Sequence, residues 1–210
     1  MSNLDFLKKL IKIESISPND NGCFDVIKQQ FDGLNFSFEE TNYKNISNLI
    51  ISNGDSKDKT FCFLGHTDVV PPGPESEWTV PPFSGEIIGN KIYGRGTADM
   101  KSFIACALHT AIKSSSMTLT TPLHFAFSYD EEIGCVGVKS LIEMLKKAPF
   151  NPLFCIIGEP TSMKVAAGHK GKVNAFVKIK GKEAHSALAP NGLNSIYLAT
   201  NLINEIQNKH

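Results

Sequence analysis

Three consecutive carboxylates, Asp130, Glu131 and Glu132, follow an apolar run in the stretch FAFSYDEEIG (125–134). Like charges this close repel one another, and carboxylates at the edge of an apolar core are costly unless a cation compensates them. Carboxylates and imidazoles are ligands that suit Zn²⁺, and two such ions would neutralise several acids. The stretch therefore points to bound metal as the missing positive charge.

Further candidate ligands follow other apolar runs, and the full candidate set comprises His66, Asp68, Asp99, Glu131, Glu132 and Glu159. Taken singly, each has a simpler interpretation. His66 would be a solvated residue at a strand end, and Asp99 would cap the helix that follows it. Taken together, the clusters fall at the predicted strand ends of one sheet, which favours a metal site. If the strand continues past His66, Asp68 can accept a hydrogen bond from the second ring nitrogen.

The elements that must position these residues alternate between apolar strands and helices. The predicted strands cover 36–40, 48–52, 60–66, 122–130 and 152–158, and the predicted helices cover 2–13, 24–31, 103–115 and 136–148. This alternation is typical of an α/β domain whose sheet is buried on both faces. In such sheets the chemistry gathers at the carboxyl ends of the strands.

The pattern changes near residue 172. In KVNAFVKIKG (172–181) apolar and polar residues alternate, which predicts a strand with one solvated face. An amphipathic helix is predicted within 192–210. We therefore divide the chain into domains at 1–172 and 173–210, of which the second is too small to bury a core of its own.

Composition excludes several classes of function. The chain has 21 Lys and Arg against 21 Asp and Glu, whereas a general nucleic-acid or anionic-membrane binder would need a basic excess. No apolar run is long enough for a transmembrane helix, and the first residues do not resemble a secretory signal. The five cysteines are scattered without a CxxC pair, so we expect buried free thiols and a cytoplasmic protein.

Five motifs together resemble a known family: GHTDVVPPG, PPFSGEI, IYGRGTADMK, DEEIG and IIGEPTS. They are similar to those of the co-catalytic di-zinc metallohydrolases, which include acetylornithine deacetylases, succinyl-diaminopimelate desuccinylases, aminoacylases and carboxypeptidases. The similarity runs from about residue 5 to residue 207. It implies a zinc-peptidase-like three-layer catalytic domain in 1–172 and the beginning of a smaller α+β lid or dimerisation domain in 173–210.

The resemblance also implies two Zn²⁺ ions, for which Co²⁺ or Mn²⁺ could substitute. His66, Asp99 and Glu159 would hold one ion, and Asp99 would bridge to a second ion that Glu132 also binds. Glu131 would be the general base that takes a proton from water and delivers it to the leaving amine.

Two further residues are assigned catalytic roles, Asp68 from its position after His66 and His185 from the resemblance. Asp68 would orient His66, and His185 in GKEAHSALAP would stabilise the oxyanion, often across a dimer. Without the resemblance, the local sequence predicts that His185 is a surface loop residue.

Within the family, SYDEEIGCVG, IIGEPTS and GHKGKV are most similar to acetylornithine deacetylases. The implied reaction is hydrolysis of the amide bond of an N-acyl amino acid, N2-acetyl-L-ornithine, to L-ornithine and acetate in arginine biosynthesis. A succinyl-diaminopimelate desuccinylase is the first alternative, followed by another aminoacylase or a dipeptidase. The implied partners are a small-molecule substrate and, for the full-length protein, a second copy in a homodimer.

The family takes one more histidine ligand from near the end of a longer chain, and His210 does not match that motif. We therefore expect this chain to be truncated, as the N-terminal part of such an enzyme. The alternative is an inactive or metal-binding remnant.

Overall fold

The computed structural model describes residues 2–43, 46–53, 59–147 and 151–209. The helices are α1 (Asn3–Ile11), α2 (Cys23–Gln29), α3 (Ser102–Ser114), α4 (Val138–Lys147) and α5 (Ser195–Gln207). The strands are β1 (Ser37–Tyr43), β2 (Ile46–Ser52), β3 (Lys59–His66), β4 (Glu86–Ile88), β5 (Lys91–Tyr93), β6 (Leu123–Ser128) and β7 (Asn151–Ile157). Residue 148, the predicted end of one helix, and His210 lie outside the described residues.

Five strands form one sheet in the order β1-β2-β6-β3-β7. β3 runs parallel to both of its neighbours, and β2 runs antiparallel to β1 and β6. The register pairs His66 with Ser128 on β6 and Leu64 with Ile157 on β7. The carboxyl ends of three parallel strands therefore lie side by side at one edge of the sheet.

Helices cover both faces of this sheet. Leu49 and Phe125 belong to the core that α1, α2 and α3 form on one face. Ile50 and Ala126, the next residues along the same strands, pack with Leu141 of α4 on the other face. Because successive strand residues point to opposite faces, a sheet with two covered faces needs continuous apolar strands. The predicted three-layer α/β fold is confirmed.

The helices of this domain begin and end within a few residues of their predicted bounds. α1 is capped by Ser2, whose hydroxyl oxygen accepts a hydrogen bond from the Asp5 N–H at 3.1 Å. Leu7 and Leu10 on its apolar face are buried. Within the part of the chain that the structure describes, no helix is long and apolar enough to cross a membrane.

All five cysteines are free, as predicted. Cys23 and Cys62 are buried, whereas Cys106, Cys135 and Cys155 are exposed. The expectation of buried thiols is therefore wrong for the last three, because an apolar neighbourhood in sequence does not decide which face of an element a side chain occupies.

The chain divides into two compact units, Met1–Val165 and Ala166–His210, a few residues before the predicted boundary at 172. In the second unit the predicted helix is present as α5, and Asn194 caps it by accepting from the Ile196 N–H. The assignment of this unit to a lid or dimerisation domain stays a prediction.

The predicted strand over 172–181 is wrong. None of these residues is in a strand, and Val173 and Phe176 are 91% and 100% exposed. A strand needs a hydrogen-bonded neighbour, and no described residue pairs with this segment. Only beyond it does Lys182 form an isolated bridge with Leu193.

Candidate metal centre

Three side chains bring their ligand atoms together at the carboxyl edge of the sheet. His66 ends β3, Glu159 follows β7, and Asp99 lies in the turn Thr97–Lys101 that precedes α3, where its backbone angles are not helical. One ligand atom from each lies within 4.8 Å of the other two. The Nε2 atom of His66 is 3.1 Å from Asp99 Oδ1 and 3.5 Å from Glu159 Oε1. We call these three residues the ligand triad.

The turn that carries Asp99 is anchored by two fully buried side chains. The sulfur of Met100 accepts a hydrogen bond from the His66 backbone N–H at 3.3 Å. Lys101 donates through Nζ to the carbonyl oxygens of Leu10 and Ile13, at 2.8 Å each. Sequence reasoning missed Lys101, because lysine is almost never fully buried and nothing local marks this one as an exception.

Asp99 does not cap α3. The N-cap position is Lys101 and no side chain caps that end, so the simpler interpretation of Asp99 is wrong. The turn begins at Gly96, whose φ of 85° is unfavourable for other residues. A Cβ atom at Gly96 would also lie 2.9 Å from Val69, so glycine is required on both counts.

Glu159 reaches the triad because β7 ends in a close approach to α3. A Cβ atom at Gly158 would lie 1.9 Å from the ring of Phe103, so only glycine fits there. The Gly158 N–H donates to the Leu64 carbonyl oxygen at 3.3 Å and continues the pairing of β7 with β3. This pairing sets Glu159 beside His66.

Asp68 meets His66 in a different way from the one the sequence suggested. β3 ends at His66, and Nδ1 of His66 lies 2.9 Å from the backbone carbonyl oxygen of Asp68 but 3.5 Å from its carboxylate. The carboxylate also accepts the backbone N–H groups of Glu131 and Glu132, both at 3.2 Å. Asp68 therefore connects the end of β3 to the loop after β6.

The two adjacent glutamates differ in their relation to the triad. Glu131 Oε2 lies 3.9 Å from His66 Nε2, and Glu131 Oε1 accepts a hydrogen bond from the Cys135 thiol at 3.2 Å. Glu132 is not one of the described residues whose ligand atoms meet within 4.8 Å. The pKa of Glu132 is raised, first by burial and then by the negative charge of Asp99, so the carboxylate charge of the triad acts on Glu132 as well.

The site attracts positive charge. Burial lowers the pKa of His66, but Asp68, Glu159 and Glu131 outweigh burial and raise it to about 9. Burial raises the pKa of Glu159 to about 7, with Asp99 and Glu131 adding to the rise and His66 opposing it. His66 holds a proton unusually strongly because carboxylates surround it, whereas Glu159 does so first because it is buried and then because Asp99 and Glu131 lie nearby. One imidazole nitrogen among several carboxylate oxygens fits Zn²⁺ or a similar divalent cation.

His185 lies in the second unit and has a local role there. Its Nδ1 atom accepts the Ala187 N–H at 3.2 Å and caps the short helical turn Ser186–Asn191. The side chain is exposed. Its role in stabilising an oxyanion stays a prediction, as does the second metal ion.

Comparison with known proteins agrees with a metallohydrolase fold. The family profile described as Peptidase family M20/M25/M40 matches residues 62–200. The chain is 37% identical to a succinyl-diaminopimelate desuccinylase of Dechloromonas aromatica, over 98% of this chain and 56% of the relative. It is 34% identical to a protein of the same name from a Caulobacter species, over 95% and 53%. The chain thus spans about half the length of the curated relatives it matches.

Solved structures share the fold. A tripeptidase from Staphylococcus aureus superposes with a TM-score of 0.66 at 19% identity, covering 96% of this chain and 55% of that one. An M20 family metallo-carboxypeptidase from Sulfolobus solfataricus gives a TM-score of 0.62 at 25% identity, covering 75% and 37%.

Proposed function

Because the chain belongs to the M20/M25/M40 peptidase family, we propose that it forms the metal-binding part of an enzyme that hydrolyses the amide bond of an N-acyl amino acid. One observation carries the proposal. The ligand atoms of His66, Asp99 and Glu159 meet within 4.8 Å, and a carboxylate oxygen of Glu131 lies 3.9 Å from the same imidazole nitrogen. Metal-assisted amide hydrolysis uses a cation beside a proton acceptor, and this arrangement offers ligands for the first and a carboxylate for the second.

His66, Asp99 and Glu159 would hold one Zn²⁺ ion, and Asp99 and Glu132 would serve as ligands of a second. Co²⁺ and Mn²⁺ are the expected substitutes. A zinc ion at such a site polarises a carbonyl and lowers the pKa of a bound water to about 7.

Glu131 is the proposed general base. The thiol of Cys135 engages its Oε1 atom, while Oε2 faces the triad. In that place Glu131 accepts a proton from the attacking water and delivers it to the leaving amine. The half-exposed carboxylate is open to solvent and substrate, as a base in hydrolysis must be.

The proposed substrate is N-succinyl-diaminopimelate, because the relatives at 37% and 34% identity are named for that activity. N2-acetyl-L-ornithine is the second candidate, and the motifs SYDEEIGCVG and GHKGKV favour it. The proposal includes a cytoplasmic location and, for the longer protein, a homodimer.

The test measures zinc content and turnover of both substrates in parallel. The wild-type chain is expected to bind zinc, and His66→Ala is expected to lose it, whereas the matched control His169→Ala, an exposed histidine of the second unit, keeps it. Equal zinc binding by wild type and His66→Ala would overturn the metal site. Zinc binding without turnover of either substrate would overturn the activity for this chain, and a preference for the acetyl substrate would reverse the choice between the two.

A further inference from the structure

Ser17 belongs to none of the motifs that suggest a function, yet it contacts the carboxylate behind the metal site. Its hydroxyl donates to Asp68 Oδ2 at 2.5 Å. Asp68 is only 4% exposed, so the hydrogen bonds that its carboxylate needs must come mainly from the protein. The Glu131 N–H donates to Oδ1 and the Glu132 N–H donates to Oδ2. Ser17 and Glu132 therefore share one oxygen of Asp68.

The main chain fixes the direction in which Ser17 points. Ile16 forms a parallel bridge with Val69, and the Ser17 N–H donates to the Val69 carbonyl oxygen at 3.3 Å. The Val69 N–H returns a bond to the Ser15 carbonyl oxygen at 2.9 Å. The segment of Ser17 therefore runs along the segment of Asp68 and is hydrogen-bonded to it.

The loop that Asp68 holds is itself a tight turn. The Gly134 and Cys135 N–H groups donate to the Glu131 carbonyl oxygen at 3.0 and 2.8 Å, and Asp130 has a φ of 52°. The turn is closed by its own hydrogen bonds. An acceptor that binds the N–H groups of Glu131 and Glu132 therefore fixes the backbone positions from which both glutamate side chains extend. The backbone carbonyl oxygen of Asp68 also contacts His66, so Asp68 connects the triad to this loop.

We propose that Ser17 is a positioning residue that acts through Asp68, with its hydroxyl fixing the carboxylate so that both oxygens hold the Glu131–Glu132 main chain beside His66. Without the hydroxyl, a buried acceptor loses a partner, and the carboxylate must rotate or admit water to regain one. Either change loosens the two amides. The catalytic consequence rests on the proposed function, whereas the structural part holds with or without metal and substrate.

The first experiment measures amide hydrogen exchange at Glu131 and Glu132 by NMR in the whole chain. Ser17→Ala is expected to speed exchange at these two amides by about fivefold, the scale of one net hydrogen bond. Ser17→Thr keeps a hydroxyl and is expected to restore the wild-type rates, and Ser17→Cys, a weaker donor, should give intermediate rates. Unchanged exchange in Ser17→Ala would overturn the proposal.

Ser15→Ala is the matched control. The Ser15 hydroxyl donates to the Thr67 carbonyl oxygen at 2.7 Å, so this variant removes a buried hydroxyl from the same segment without touching Asp68. It is expected to lower the melting temperature while leaving exchange at Glu131 and Glu132 at wild-type rates. Equal acceleration in Ser15→Ala and Ser17→Ala would show general loosening and would also overturn the proposal. If Ser17→Ala does not fold, the ranking of wild type, Ser17→Thr and Ser17→Cys decides.

A second measurement addresses the consequence for the site. With Co²⁺ in place of zinc, Ser17→Ala is expected to alter the visible absorption spectrum and to lower kcat more than it raises KM, and Ser17→Thr is expected to reverse both changes. If the chain binds no cobalt and hydrolyses nothing, the proposed function fails, but the exchange rates still decide the role of Ser17.

Discussion

Two buried histidines on neighbouring strands have pKa values that are shifted in opposite directions. His66 ends β3 and is 2% exposed, and His124 lies near the start of β6 and is 3% exposed. Burial lowers the pKa of His124 to about 4. At His66 the same effect of burial is outweighed by Asp68, Glu159 and Glu131, and the pKa rises to about 9. At pH 7 one ring is neutral and the other attracts a proton or a metal ion.

The contrast shows that the charges at the carboxyl edge of the sheet, and not burial, make the candidate site. His124 Nδ1 lies 2.8 Å from the hydroxyl of Ser52, its register partner on β2. His66 Nε2 faces carboxylates that come from the loops after three different elements. The parallel arrangement of β6, β3 and β7 brings Glu131 and Glu159 to the same edge as His66, whereas Asp99 comes from the turn before α3.

The largest expected effect comes from removing one carboxylate charge without changing its shape. Glu131→Gln is expected to lower kcat by about 10²–10⁴-fold, the usual contribution of a general base. Zinc content should remain at the wild-type level, because Glu131 is not in the ligand triad. Steady-state kinetics with metal analysis on the same sample checks both, and turnover that survives the substitution would contradict the role as a base.

The next test compares the two histidines directly. His66→Ala removes the only imidazole of the triad and is expected to weaken zinc binding by more than about 100-fold, beyond the typical effect of losing an outer partner of a ligand. His124→Gln should leave zinc affinity unchanged, although that side chain is equally buried. Competition against a zinc-binding dye measures both affinities, and similar losses in the two variants would show that burial and not the carboxylates matters.

The sequence predicts most of this edge for a physical reason. Buried parallel strands must be apolar, so their ends are visible where the runs stop, and the residue types that follow identify candidate ligands. His66 and Glu159 could thus be named as candidates in advance, although they are tens of residues apart. Asp99 follows a Gly-rich turn after β5, and the choice of these three residues as one ligand set rested on the family resemblance. Their assignment to metal stays a prediction that the geometry supports.

The anchoring contacts could not be predicted in the same way. Ser17 reaches Asp68 across 51 positions, and Lys101 reaches the end of α1 across some 90. Neither residue type nor local spacing marks such contacts. The predicted strand over 172–181 failed for a related reason, because alternation reveals an apolar face but contains no information about whether a neighbouring strand is available.

A smaller effect is expected in the pH dependence of stability. The unfolded chain takes up a proton at His124 as the pH falls below about 6.5, whereas the folded protein does so only near pH 4. This residue therefore lowers the free energy of unfolding across that window, by roughly 1–2 kcal/mol between pH 7 and pH 5. The His124→Gln variant should lose this part of the pH slope. Urea unfolding at both pH values measures it, and identical slopes in variant and wild type would place His124 among solvated histidines.

The smallest expected effect sharpens the comparison at His66 itself. Several carboxylates raise the pKa of His66 from its ordinary 6.5 to about 9. In metal-free protein, Glu159→Gln removes one of them, so the pKa of His66 should fall. Asp68 remains and should keep that pKa above 6.5. His124 serves as the internal reference, because its pKa is set by burial and should not move. NMR titration of the ring protons follows both residues in one sample. If the pKa of His66 stayed the same while the pKa of His124 shifted, the carboxylates would not be the cause of the difference between the two rings.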